Sequence, residues 1–85
     1  MSVLLDLPNV GKVLDERLNQ IGICSYDELV AMGSKQAFLK IRERDAGACL
    51  HMLYGLEGAI EGIKDSLLSK EVKEELKVFY HALVS

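Results

Sequence analysis

Residues 7–23 read "LPNVGKVLDERLNQIGI", and the fold follows from how this stretch is parsed. Pro8 is the chain's only proline; it lacks a backbone N–H and biases Leu7 away from helical angles. The preceding "SVLLD" is therefore at most a short helix. Gly11 has the freedom to turn the chain or to let another backbone come close. Beyond it, Val10, Leu14, Leu18 and Ile21 recur at helical spacing and form one apolar face. Gly22 is placed to close that helix in a left-handed C-terminal position. The stretch is a tight corner that feeds a short amphipathic helix.

The same grammar continues outward. Ser25-Tyr26-Asp27-Glu28 has the form of a capping box, which predicts a short helix through Leu29, Val30 and Met32. Gly33-Ser34 breaks it, with Ser34 the expected cap of a helix lined by Ala37, Phe38 and Ile41. The most apolar segment, residues 45–63, reads as a central helix. Cys49, Leu53, Leu56, Ile60 and Ile63 form its main stripe, widened by Leu50 and Tyr54. Ala48, Gly55, Ala59 and Gly62 form a second stripe of small residues. An interior glycine costs about 1 kcal/mol relative to alanine, so this stripe predicts close approach of a neighbouring helix backbone. Ser69 caps a last helix with Val72, Leu76, Phe79 and Leu83 inside. Glu71, Glu74 and Glu75 crowd its first turns, where the helix dipole favours acids. No strand-length alternation occurs.

With 85 residues, of which 49% are hydrophobic and 27% charged, the chain has material for a single core. Residues 1–85 are read as one domain. No apolar run approaches the ~20 residues of a membrane span, and "MSVLLDLPNV" lacks the form of a secretory signal. The expectation is a cytoplasmic protein that does not engage a membrane. Cys24 and Cys49 lack a CxxC or Cys/His cluster, which predicts two buried or half-buried thiols acting as small hydrophobes. No metal site and no cofactor are expected, since Cys49 and His51 would point to different sides of a helix. The net charge of −3 offers few cations for counterion release, so nucleic-acid contact would be local and weak.

The candidate site is the turn Asn9, Val10, Gly11 and Lys12. The first amides of a helix have no internal partners and form a ready anion site, and Lys12 adds charge. Two plainer readings stand beside it: a purely structural corner, and a protein contact. Elsewhere, His51 and His81 read as surface or boundary residues. Glu57 and Glu61, one turn apart, read as the solvated edge of an apolar helix rather than as an acid–base pair. No triad or metal triplet supports an enzyme.

"LPNVGKVLDERLNQIGICSYDEL" resembles a helix-hairpin-helix element, whose turn amides and following basic residue often hold a DNA phosphate. Asn9 stands where such hairpins usually carry their first glycine, and Asp15 where a small apolar residue is common. With the continuation "AMGSKQAFLKI" and "DAGACLHMLYGLEGAIEGI", the chain is similar to the C-terminal domain of the TfoX/Sxy family, which is associated with regulation of natural competence in bacteria. The expected fold is all-α, a compact bundle of about five helices with an N-terminal helix-hairpin-helix-like element. The resemblance implies a small non-catalytic regulatory or interaction module with a protein partner, as monomer or homodimer. The alternative is a nucleic-acid-binding protein with weak phosphate contacts, favoured if Lys12, Arg17, Lys35, Lys40, Arg42 and Arg44 share one surface.

Overall fold

The computed structural model describes residues 3–84. Five α-helices follow a 3-10 helix at Val3–Asp6: α1 (Lys12–Gln20), α2 (Tyr26–Met32), α3 (Ser34–Arg44), α4 (Leu50–Glu61) and α5 (Lys70–Val84), with a second 3-10 turn at Asp65–Leu67. No strand occurs among the described residues, so the fold is all-α, as expected. α4 lies at the centre and packs against α2, α3, α5 and the Asp65–Leu67 turn. Its Leu53, Leu56 and Ala59 are fully buried, together with Leu4, Leu18, Leu29, Ala37 and Phe38.

The helix ends show why these elements stop where they do. At the end of α1, Gly22 has φ 90°. The Gly22 amide donates to Asn19 O at 3.1 Å and the Ile23 amide to Leu18 O at 2.9 Å. This pair of bonds defines a Schellman ending, completed by packing of Ile23 near Leu18 in the core. At α2 the capping box forms: the Glu28 amide donates to Ser25 Oγ at 3.2 Å, while Glu28 Oε1 accepts from the Cys24 amide at 2.8 Å. Ser69 Oγ accepts from the Val72 amide at 3.2 Å and so caps α5.

Four expectations are corrected. The central helix begins at Leu50 rather than at residue 45. Asp45 Oδ1 accepts from the Gly47 amide at 3.0 Å and its carbonyl accepts from the Ala48 amide at 3.0 Å, which holds a turn in place of helix. Ser34 does not cap α3; Gly33, with φ 85°, takes that place. Ser34 is buried inside the first turn and donates from Oγ to Glu57 Oε1 at 2.7 Å, tying α3 to α4. Both cysteines are exposed. Cys24 follows the Schellman turn, where Ile23 takes the buried position, and Cys49 is the first residue beyond buried Ala48. In the small-residue stripe, finally, Ala48, Gly55 and Ala59 are buried, but the neighbour that Gly55 meets is Asn9 of the opening turn rather than a helix backbone. Gly62 is exposed and forms the left-handed C-cap of α4 at φ 78°. The glycine that admits a close neighbour is Gly58, and that neighbour is the opening turn.

Candidate functional site

Asn9 holds the molecule's one left-handed non-glycine conformation among the described residues, φ 68°. Asparagine tolerates this region better than other residues with a Cβ, so the turn keeps a glycine-like backbone without glycine. The side chain this leaves in place is engaged at both ends. Nδ2 donates to Ile63 O at 2.9 Å and to Gly55 O at 3.4 Å. Oδ1 accepts from the Asp65 amide at 3.0 Å. The opening turn is thus clamped onto the middle of α4 and the chain that leaves the helix. Gly58 makes room for the clamp: a Cβ there would stand 2.5 Å from Asn9 Nδ2 and 2.8 Å from Ile63 O.

The other turn residues have different surroundings. Val10 is buried in the core. Gly11 is the N-cap of α1, and no side chain caps that end. Lys12 is exposed and forms no ion pair among the described residues. By contrast Arg17 pairs with Asp45 at 3.2 Å, Lys35 with Glu75 at 2.7 Å, and Arg42 donates to Ala48 O at 3.3 Å. Three of the six cations that a shared basic surface would require are therefore tied to internal partners. The amide of Gly47, then the Arg17 guanidinium, hold the Asp45 carboxyl below its usual range.

Beside the clamp opens a groove of about 1080 Å³. The start of α1 forms one wall, with Lys12, Val13 and Leu14; the start of α4 forms another, with Cys49, His51 and Met52. Gly62, Ile63, Lys64, Asp65 and Leu67 complete it. His51 Nε2 lies 3.5 Å from Asp65 Oδ2, an ion pair when the imidazole is protonated. The sequence placed Asn9 through Lys12 at a site but missed His51, Met52, Lys64 and Leu67. They lie roughly forty or more residues away along the chain, and no local spacing marks them.

Glu57 and Glu61 lie outside this groove, with Glu57 reaching Ser34 of α3. A hydrogen bond with Glu57, and secondarily desolvation, raise the Glu61 carboxyl above its ordinary range. No group of three or more potential metal ligands occurs among the described residues, and no described helix is long and apolar enough to cross a membrane.

The chain is an all-helical module whose glycine-containing corner is pinned to its central helix and the turn that follows it. The sequence model of the TfoX C-terminal domain matches residues 1–80, and the chain belongs to that family. It is 34% identical over 73 residues to Protein Sxy of Escherichia coli (strain K12), which covers 86% of this chain and 35% of that protein. The chain thus spans about a third of the length of this curated relative. Two crystal structures of Listeria monocytogenes proteins share the fold. One, of an uncharacterized protein in a triclinic form, has 46% identity and TM-score 0.95 over 96% of this chain and 93% of its own. The other, of a protein of unknown function in a tetragonal form, has 48% identity and TM-score 0.92 over 94% of this chain and 98% of its own.

Proposed function

We propose that this chain is a non-catalytic interaction module of a regulator of the TfoX/Sxy type, acting in the cytoplasm through a protein partner, as monomer or homodimer. The observation that carries this reading is the open, largely apolar groove beside a turn whose own polar side chain, Asn9, is turned inward. Apolar surface in a concave site favours a partner that can bury it. Phosphate recognition draws instead on exposed donors and clustered cations. The family's association with natural competence supplies the biological setting.

A second reading has its own support. The N-terminus of α1 has no side-chain cap, and Lys12 beside it has no ion-pair partner among the described residues, so Asn9, Val10, Gly11 and Lys12 form a turn able to contact a phosphate through the amides near Gly11 and the Lys12 ammonium. Fluorescence anisotropy with a labelled duplex at about 150 mM salt decides between them. The interaction-module reading expects binding no tighter than the non-specific range of about 10⁻⁴–10⁻⁶ M. Sub-micromolar binding abolished by Lys12→Glu would replace it with the nucleic-acid reading.

A further inference from the structure

We infer that the groove between the start of α1 and the start of α4 is a docking site for an acidic amphipathic helix of a partner protein, which rests on the interaction-module reading above. Its lining is largely apolar, with Val13, Leu14, Met52, Ile63 and Leu67 supplying the apolar floor and lower walls. Val13 and Leu67 are 60% and 67% exposed, large apolar side chains left uncovered along the same depression. One helical turn, about 10 Å across with a pitch of about 5.4 Å, occupies on the order of 400 Å³. The groove, at about 1080 Å³, is of the same order as two to three such turns.

Charge selects the occupant. The chain as a whole carries −3, yet the groove is lined by Lys12, Lys64 and His51 against one acid, Asp65. That acid faces His51, while neither lysine has an ion-pair partner among the described residues. Gly11 and Cys49, N-caps of α1 and α4 without side-chain capping bonds, both open on the groove. Each helix of this kind presents a partial positive charge at that end. An apolar floor with a positive rim, on an otherwise acidic molecule, fits a helix with leucine-type residues on one face and carboxylates along its margins. The rim charges speed and orient encounter, and the floor supplies the buried contact. A nucleic acid would satisfy the rim and leave the floor unused.

The test uses the full chain and a fluorescein-labelled synthetic helix of about 18 residues, long enough to populate helix. It carries leucines at i, i+3, i+4 and i+7 with glutamates beside them; a control peptide has lysines in their place. The acidic peptide is expected to bind at least about tenfold tighter than the basic one. Leu67→Asp, and separately Lys12→Glu with Lys64→Glu, are each expected to weaken it at least about tenfold. All these positions are exposed, so the melting temperature should stay that of the wild type and show that the fold is intact. Equal binding of the two peptides, no binding of either, or indifference to Leu67→Asp overturns the inference. Light scattering that shows a dimer dissolved by Leu67→Asp also overturns it, assigning the groove to a second copy. A labelled duplex run in parallel separates the two levels: tight duplex binding lost with Lys12→Glu removes the interaction-module reading as well, whereas silence of both peptides and duplex removes only the acidic helix.

Discussion

Asn9 accomplishes at one position what a glycine turn cannot. Its backbone adopts the left-handed corner, and its amide bridges to Ile63 and Asp65. The two contributions are separable. Asn9→Gly keeps the backbone and loses the bridge, leaving the Asp65 amide and the Ile63 carbonyl without this partner, at a cost of about 1–3 kcal/mol. Asn9→Ala loses the bridge and also strains the turn, so urea denaturation should rank it below Asn9→Gly. Gly58 gives the complementary test. Gly58→Ala puts a methyl against Asn9 and the Ile63 carbonyl, and the carbonyl is backbone that cannot swing aside. We expect a loss of about 1–3 kcal/mol. At Gly55 a new Cβ meets only Asn9 Cβ at 3.6 Å, an ordinary contact; Gly55→Ala should be neutral or stabilising by up to about 1 kcal/mol through helix propensity. If the two alanines behave alike in denaturation, the clamp is not what keeps Gly58 a glycine. None of this was legible in the sequence beyond the odd presence of Asn9. The side chain's partners lie more than forty residues downstream, and local patterning carries no information at that range.

Helix ends were more legible than helix lengths. Gly22, Ser25 and Ser69 were readable because a cap is a local chemical event, one side chain or one φ acting within three or four residues. The start of α4 was not, because the apolar period runs on through 45–49 while Asp45 bonds to its own turn. Ser34 misled for a related reason: Gly33 had already turned the chain, which freed the hydroxyl to reach Glu57 on α4. Stability at the end of α4 depends on pH. Glu61 is the last residue of the helix, where the dipole disfavours a negative charge, and a hydrogen bond with Glu57 raises its pKa above the ordinary 4.5. A raised acid contributes stability that is complete below its unfolded value and is lost as pH rises through its folded value. At pH 7 the ionised pair therefore repels. Glu61→Gln should stabilise by a few tenths of a kcal/mol, about the scale of an exposed charge pair, and the gain should vanish below about pH 4. Asp45, whose pKa is lowered by the Gly47 amide and then by Arg17, runs the other way: Asp45→Asn should cost stability at pH 7 and cost progressively less as the wild type acidifies through its folded-state value. Thermal melts of both variants across pH check the opposite signs; a gain from Glu61→Gln that persists unchanged in acid would dismiss the shared-proton account.

At the scale of the molecule, the core was legible because periodicity reports burial directly: Leu14, Leu18, Phe38, Leu53, Leu56 and Leu76 are all buried. The groove was not, since three separate segments build it. Periodicity also overstated how evenly the helices are held. α4 has five buried residues in twelve, whereas α5 has Leu76 alone in fifteen. Val72, Phe79 and Leu83 are only partly covered. The other contacts of α5 involve half-buried or exposed groups on its own side. Tyr54 Oη donates to Lys73 O at 3.4 Å, Lys35 pairs with Glu75 at 2.7 Å, and Tyr80 meets Phe38 edge to face at 6.0 Å. Exposed ion pairs contribute little, and opening free energy follows buried apolar contact. α5 should therefore open as a unit below the free energy of global unfolding, while α4 opens only with the whole molecule. Native-state hydrogen exchange measures this directly: amides in the middle of α5 should exchange with an opening free energy below that of the Leu53–Leu56 amides, and with weak dependence on denaturant. Leu76→Ala should widen the gap, because the cavity it leaves, costing about 2–5 kcal/mol, falls on the one fully buried side chain of the helix. Protection of α5 equal to that of α4 in the wild type would show that its half-buried side chains suffice to join it to the cooperative core.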